Sequence, residues 1–516
     1  MGIDRATIRR WNPARGAGRA GRRFLRRPRP TQLRTVALVL AVGVGTVVYV
    51  AAAPAPASPG PTGSAAGAST GGSGSSAVNQ ASTSTRGISG NAINVGFPVV
   101  SLNSLAGKEG FAQDVEFGEQ VKAIHFFVNQ INKQGGINGK KINPLITTFD
   151  PTDEASVRAL CKDWTEGTPA AFAVLDGVGT WRDDNQLCVT QEGHTPLISQ
   201  WTTVSNWTQK GAPYLWWTGP DQAAVLQATV NWGLQSGLLG NGRKVGVIAG
   251  DRASDQLALN QYLIPDLQRA GVNATVETIA AEPSETATTY TEAPLVVQKL
   301  KTAGVNSVIP LIPFNAFFPV LQAQTQQQYF PKLLLSDYEV SISSALGLIP
   351  VPYEQALDGQ QGVTTYTLGG FDDARPESQG GYDPGVRSCY TDWHKAYPNR
   401  VPPAQTSYIE EQGPIQGWCN VIRLFATAAR NAGSTLNRRT FVQAMSRIKN
   451  FPGGFSPVLS YGPNKYDGPT QFQVVELHNN VPPSSLCKLK TNDQPQGTCW
   501  VVVHSWQPLP LVTPTG

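Results

Sequence analysis

The residues of this 516-residue chain that could do chemistry stand just after short apolar runs. Ser101-Leu102-Asn103 follows one such run, Gly179-Thr180-Trp181 another, and Trp201-Thr202-Thr203 a third. Further along come Asp251-Arg252, Phe314-Asn315, Asp337-Tyr338-Glu339 and Tyr366. If the runs are strands of open α/β sheets, these loops lie beyond their carboxyl ends, where such sheets hold ligands. The groups on offer are hydroxyls, carboxylates, one guanidinium and several aromatic rings. That set suits capture by hydrogen bonds, charge and stacking.

Catalytic patterns are scarce. Ser446-Arg447-Ile448-Lys449 fits S-x-x-K, which could place a nucleophile beside an amine, but no K-T-G accompanies it. The chain has no H-E-x-x-H pair or P-loop, and its G-x-S-x-G match, Gly67-Ala68-Ser69-Thr70-Gly71, lies in the Ala/Pro/Gly/Ser/Thr-rich stretch rather than between a strand and a helix. A non-enzymatic role without cofactor is expected. Six cysteines allow fifteen pairings. Neighbours in sequence suggest Cys161–Cys188, Cys389–Cys419 and Cys487–Cys499. Zinc is the alternative use, but no C-x-x-C or H-x-x-x-H spacing exists, so no metal site is expected.

The elements that must position these loops alternate between strand and helix. Asn91–Val99 reads as a strand. Glu119–Lys133 reads as a helix with Val121, Ile124, Val128 and Ile131 on one face. Ile142–Phe149 is a second strand and Asp153–Thr165 a second helix, with Val157, Leu160, Cys161 and Trp164 aligned and acids in its first turn. Strands follow at Ala171–Val178 and Thr195–Ser199. The rhythm restarts with a strand at Lys244–Ala249, a helix at Asp255–Ala270 that Pro265 should kink, and a strand at Thr275–Ile279. A helix at Pro294–Ala303 and strands at Ser307–Ile312 and Lys332–Ser336 complete this series. A third section opens at Val363–Thr367. Its helices are Pro384–Ala396 and Ile415–Asn431, the latter with Ile415, Trp418, Cys419, Ile422 and Phe425 on one face. The tail from Phe455 is rich in strand and turn. This βαβ order predicts parallel sheets. Trp216-Trp217 is expected to pack where the chain crosses between them.

The amino terminus reads as an address. Residues 1–35 hold eleven Arg, no Lys and one acid, leaving 30 Lys and Arg against 35 Asp and Glu in the remainder. A mildly acidic body argues against nucleic acid as a partner. Val36–Ala53 is 18 residues without a charge, the lower limit for a membrane span. It is either a signal-peptide core, with small residues around Ala55-Pro56-Ala57, or a retained anchor whose arginines stay cytoplasmic. Residues 54–87 are nearly all Ala, Pro, Gly, Ser and Thr and read as a disordered tether. A lipidated cysteine is not expected there, because no Cys precedes Cys161.

Ile131-Asn132-Lys133-Gln134-Gly135-Gly136-Ile137-Asn138-Gly139 resembles the glycine turn of type I periplasmic solute-binding proteins of the leucine/isoleucine/valine-binding branch. Asp150-Pro151-Thr152-Asp153 with Ala155 is similar to that branch's entry to its second helix, and the element order agrees over about residues 88–516. The resemblance implies an α/β fold of two Rossmann-like lobes with parallel sheets, joined by a hinge of three crossings. By element order, lobe 1 is expected at 88–219 and 362–453, and lobe 2 at 220–361 and 454–516.

It also implies a monomeric exported protein on the outer face of the cytoplasmic membrane, anchored or secreted. Such a protein captures a small polar solute, an amino acid or a related compound, and delivers it to the permease of an ABC importer. A membrane-tethered sensor ectodomain with the same clamp is the alternative. The resemblance assigns the solute carboxylate to Gly179, Thr180, Thr202 and Thr203, and its ammonium to Asp337 or Glu339. Ser101 would also face the cleft. The lid would come from Trp181, Trp201, Phe314, Tyr338 and Tyr366. The bulk of Trp181 and Trp201 departs from the pattern, as does the loop Asp251-Arg252-Ala253 without a tyrosine-glycine pair. Arg252 suits an anionic ligand, and the tryptophans suit a flat or sugar-like one.

Overall fold

The computed structural model describes residues 77–101, 117–179, 182–240, 242–338, 356–366, 384–398, 413–481 and 497–512. The Arg-rich leader and Val36–Ala53 lie outside these residues. No described helix is long and apolar enough to cross a membrane.

Two sheets organise the chain. The first holds β1 (Ile88–Ser89), β2 (Ala92–Val100), β3 (Lys141–Phe149), β4 (Ala173–Asp176), β5 (Leu197–Ser199) and β6 (Leu215–Trp217). Its parallel strands run in the order β3-β2-β4-β5-β6, and β1 pairs antiparallel with the start of β2. The second holds β7 (Val245–Gly250), β8 (Ala274–Ile279), β9 (Ser307–Leu311), β10 (Lys332–Ser336) and β11 (Gln361–Thr364), parallel in the order β8-β7-β9-β10-β11. An antiparallel hairpin of β14 (Gln471–Val481) and β15 (Gly497–Pro508) extends its edge. The short pair β12 (Phe451–Pro452) and β13 (Val458–Leu459) stands apart. In each parallel set, the second strand in sequence lies outside the first and the third lies inside it. That doubly wound order creates a crevice at the carboxyl ends.

The helices form where apolar residues line up. In α1 (Phe117–Lys133), Ala123, Ile124, Phe127, Val128 and Ile131 are buried, and they join the buried face of the later helix Gly413–Asn431 in one core. The turn after α1 is the glycine motif. Gly136 sits at φ +70°, and a Cβ there would come within 2.1 Å of the Lys140 carbonyl oxygen, so only glycine fits. In α2 (Glu154–Glu166) the Asp153 carboxylate caps the first turn by accepting from the Ser156 N–H. Cys161 on its buried face is joined to Cys188, next to α3 (Asp184–Leu187). A second disulfide, Cys389–Cys419, ties α10 (Pro384–Ala396) to α11 (Gly413–Asn431). Cys487, with its expected partner Cys499, falls outside the described side chains.

Several elements depart from expectation. The tether ends early: Ala77–Gln80 forms a 3-10 turn, and Val78 and Ala81 enter the core beside α12 (Arg438–Met445). The Ser82 N–H also donates to the Tyr214 hydroxyl at 2.7 Å. After the short α4 (Ser205–Gly211), α5 (Gln222–Gln235) is unmarked by any stripe because it is buried on nearly every side. α8 (Thr286–Thr302) begins well before Pro294, and α9 (Phe314–Gln326) contains Pro319. Each proline forfeits one helix bond. Burial of Val296, Val297 and Leu300, and of Phe317, Val320 and Leu321, in a shared core outweighs that loss. Before Pro265 the chain makes a π turn at Leu259–Leu263, between α6 (Ala253–Ala258) and α7 (Ile264–Arg269).

Three crossings converge between the sheets. The first runs from Trp217 through Asp221, the second through Thr365 and Tyr366, and the third through residues 466–470. The Trp217 N–H donates to the Tyr466 carbonyl at 2.8 Å, and the Tyr461 hydroxyl donates to the Trp217 carbonyl at 3.0 Å. Trp216 and Trp217 are fully buried there, with the Trp216 ring against Tyr461 and Tyr466.

Candidate functional site

Both crevices open at strand ends, and their loops meet. Asp176 closes β4. Its carboxylate accepts from the Gly179 N–H at 2.9 Å and from the Ser199 hydroxyl at 3.0 Å. Ser199 in turn accepts from the Trp201 N–H at 3.1 Å and from the Gln186 amide at 3.0 Å. The β4 and β5 loops are therefore one braced unit. Gly179 holds φ +72°, with the Trp201 nitrogen 3.1 Å from where a Cβ would stand.

Arg182 and Asp183 continue from this unit toward the second sheet. The Arg182 guanidinium lies over the Trp201 ring, 4.2 Å from its centroid, and its Nη1 reaches Oδ1 of Asn315, after β9, at 3.5 Å. Asp183 Oδ2 accepts from Arg252 Nη1, after β7, at 3.3 Å. Arg252 also lies 5.3 Å from the Trp201 centroid. Two arginines from opposite sheets thus share one indole.

Arg252 is deeply engaged. Its Nε and Nη2 donate to the two oxygens of Asp255, each at 2.8 Å, a bidentate pair. The Tyr338 hydroxyl donates to the same Asp255 carboxylate. Burial opposes the Arg252 charge, but the carboxylates of Asp255 and Asp183 overcome it and hold its pKa well above the ordinary guanidinium value. Arg182 has the opposite balance. Burial and the neighbouring Arg252 charge lower it to about 10. Glu282, after β8, is pushed up to about 7, mainly by burial.

The expected residues divide accordingly. Gly179, Trp201, Thr202 and Thr203 lie together on the braced loops. Thr202 Oγ1 accepts from the Gln222 amide at 2.8 Å, while the buried Thr203 hydroxyl and the Trp201 indole nitrogen have no hydrogen-bond partner among the described residues. Ser101 follows β2, where its N–H donates to the Phe149 carbonyl. Phe314 opens α9 rather than lying in a loop; its side chain, like Thr180, Trp181 and Glu339, lies outside what is described.

Three of the expected residues have their polar groups engaged within the protein. Asp337 is bound at both carboxylate oxygens. It accepts from the Thr364 hydroxyl at 2.5 Å and from the Thr365 N–H and hydroxyl at 2.7 and 2.8 Å, fastening β10 to the second crossing. The Tyr338 hydroxyl is bound to Asp255, and its ring lies in the core. Arg252 does not present an open guanidinium to an anion, since its donors already face two carboxylates. Tyr366 lies at the crossing, with its ring 5.7 Å from Phe455. The residue that sequence reasoning missed is Arg182. The signal was its position, one residue beyond the Gly179-Thr180-Trp181 loop.

No nucleophile–base pair emerges from S-x-x-K. The Ser446 hydroxyl donates to the Gln443 carbonyl at the end of α12, and the Lys449 ammonium donates to the Tyr461 carbonyl. Among the described residues no cluster of His, Cys, Asp or Glu could hold a metal ion.

Comparison with known proteins agrees with this architecture. Residues 105–479 match the family model described as periplasmic binding protein. Similar solved structures include a solute-binding protein of an ABC transporter from Rhodopseudomonas palustris BisB5 in complex with 3,4-dihydroxybenzoic acid. It is 16% identical with a TM-score of 0.58, covering 81% of this chain and 98% of that one. A periplasmic binding protein type 1 from Bordetella pertussis Tohama I has 15% identity and a TM-score of 0.54, over 81% of this chain and 100% of that one. The leucine-binding protein LivK from Thermotoga maritima MSB8 has 11% identity and a TM-score of 0.55, over 79% and 98%. No curated protein sequence matches. With the family model spanning most of the chain and two doubly wound lobes joined by three crossings, the chain belongs to the periplasmic binding protein family and has its type I fold.

Proposed function

We propose that this protein is an exported solute-binding protein, without catalytic activity. It closes its two lobes over one small polar solute and delivers it to the permease of an ABC importer. The carrying observation is the meeting of both crevices: Asp183 and Arg182 from one lobe reach Arg252 and Asn315 of the other around Trp201. A site divided between lobes is completed only on closure, so a solute that touches both sides shifts the hinge toward the closed state.

In this reading the lobes exchange chain at Thr218–Asp221, at Thr365-Tyr366 and near 466–470. The second exchange is put a few residues after the expected 361/362, because β11 runs to Thr364, and the third more than ten residues after the expected 453/454, because Tyr461 and Tyr466 pack with the core of the first sheet. The solute contacts are Gly179, Trp201 and Thr203 from the first lobe, with Asn315 and the Arg252 cluster forming the facing wall. Residues 36–53 carry the chain out of the cytoplasm, either as a cleaved signal or as an anchor.

The test is a thermal-shift screen of the folded protein over amino acids, amides, sugars and aromatic acids. A solute at about 100 times its Kd stabilises by about 2.7 kcal/mol. Silence across every class contradicts the reading.

A further inference from the structure

Gln186 lies wholly buried in the short helix α3, and its one amide serves three parts of the chain. The amide nitrogen donates to the Ser199 hydroxyl at 3.0 Å and to the Trp201 carbonyl at 3.3 Å. The amide oxygen accepts from the Trp217 indole N–H at 3.3 Å. An indole nitrogen can only donate and a carbonyl can only accept, so these partners fix which way the amide faces. A glutamate in its place would lose the donor, and an apolar side chain would lose both functions.

Trp217 is held in turn by the third crossing. Its N–H donates to the Tyr466 carbonyl at 2.8 Å, and its carbonyl accepts from the Tyr461 hydroxyl at 3.0 Å. Buried hydrogen bonds therefore lead from Tyr461 to Trp217, from Trp217 to Gln186, and from Gln186 to Trp201. They start on the segment that enters the hinge and end on the residue whose ring meets arginines of both lobes. Backbone pairing already joins β5 to β6, and the Thr218 N–H adds a bond to the Ser199 carbonyl at 2.9 Å. That ladder stops at the strand ends. The Gln186 amide carries the link past them, to the Trp201 loop and to α3.

α3 is also the arm that carries Asp183. The Gln186 N–H donates to the Asp183 carbonyl at 3.0 Å, and the Asp183 carboxylate crosses the cleft to Arg252 at 3.3 Å. A four-residue helix is far too short to be stable by itself. This one is fastened at its far end by the Cys161–Cys188 disulfide and by the Thr190 hydroxyl, which donates to the Gln186 carbonyl at 2.7 Å. The Gln186 amide is what fastens it to the strand ends and the hinge.

Resting on the solute-binding reading, we infer that Gln186 is a positioning residue, which ties the Trp201 loop and the Asp183 arm to the hinge so that they move with the crossings as one body. It acts through Trp201 and Asp183 and touches no solute itself. When the lobes come together, both residues are already in place, and closure does not have to order them first.

The experiment is a double-mutant cycle in the full folded chain. Gln186→Met keeps the length of the side chain and removes both hydrogen-bonding functions; Asp183→Asn removes the charge that crosses the cleft. The two are made singly and together, and their urea midpoints are compared. If Gln186 holds Asp183 in place, the losses overlap, and the double variant falls by clearly less than the sum of the single ones. Gln186→Met should also raise the radius of gyration of the solute-free protein in small-angle scattering, as Asp183→Asn does. Additive losses, or an unchanged radius, overturn the inference, because a merely structural glutamine lowers stability without either effect. If Gln186→Met does not fold, Trp217→Phe, which removes only the indole N–H, takes its place in the cycle, and additivity there overturns the inference equally. A third arm titrates leucine, 4-hydroxybenzoate, acetamide and glucose by calorimetry. Whichever binds the parent protein should bind Gln186→Met about 10-fold more weakly, the scale of one lost buried hydrogen bond. Equal affinity overturns the inference and leaves solute binding intact. If none of the four binds the parent, the solute-binding reading loses support, while the cycle and the scattering still decide for or against Gln186.

Discussion

Arg252 and Asp183 come from loops of different lobes, and their side chains meet at 3.3 Å, with that of Arg252 almost wholly buried. They form a bridge across the cleft. Because Arg252 also keeps its bidentate pair with Asp255, removal of Asp183 leaves the arginine paired but removes one of the contacts between the lobes, while those of Arg182 with Asn315 and of Asn206 with Gln261 and Tyr262 remain. Asp183→Asn is expected to destabilise the folded protein by about 1–2 kcal/mol, less than the loss of a sole buried partner. It should also increase the radius of gyration of the solute-free protein in small-angle scattering. Chemical denaturation and scattering check the two parts.

Asp255 carries a heavier burden. It neutralises Arg252 and accepts from Tyr338, all inside the core. Asp255→Asn leaves a buried guanidinium with only the distal Asp183, and the expected cost is about 3–5 kcal/mol. Tyr338→Phe removes a single hydrogen bond and should cost about 1 kcal/mol. Similar losses for the two variants, measured by urea unfolding, would show that Asp255 is not the counter-ion on which Arg252 depends.

The pH dependence follows from Asp337. Burial raises its pKa to about 7, even though Thr364 and Thr365 donate to it. An acid with a folded pKa above its unfolded value binds its proton more tightly in the native state. Its contribution to stability is therefore full at acidic pH, declines between about pH 4 and pH 7, and is flat above. Asp221 at the first crossing, raised to about 7 by burial and the nearby Asp467 charge, adds to the same slope. Asp337→Asn should make the stability profile shallower over that window, in denaturation followed from pH 4 to pH 8. A profile as steep as that of the parent protein would remove Asp337 from the account.

Much of this architecture was legible in the sequence because the signals were local. The stripe of Ile124, Val128 and Ile131, the aligned Val157, Leu160, Cys161 and Trp164, and the Gly135-Gly136 turn each lie within a few residues, and each marks the element it builds. α5 was hidden because burial on nearly every side erases periodicity. The first half of α8 and the whole of α9 were masked by Pro294 and Pro319, whose cost is met by tertiary packing that no local pattern displays. The candidate site was half legible. Strand ends located Gly179, Trp201, Thr203 and Arg252, but partners decide what each residue can do. Asp337 is separated from Thr364 by 27 residues and Tyr338 from Asp255 by 83, so nothing near either residue reveals that its polar group is already engaged.

Thr203 links stability with binding in opposite directions. Its hydroxyl is buried without a partner among the described residues, a state that costs about 1–3 kcal/mol until something fills it. Thr203→Val should leave the solute-free protein as stable as before or more so, and should weaken solute binding by about 1 kcal/mol or more. Thermal unfolding and titration calorimetry read the two effects separately. Unchanged affinity would exclude Thr203 from the site.

The most direct measurement is a crystal structure of the chain with the solute that stabilises it most. The account expects density for that solute between the two lobes, in contact with the Gly179 and Trp201–Thr203 loops on one side and with the loops carrying Arg252 and Asn315 on the other. Density elsewhere, with the cleft loops touching only one another, would contradict it.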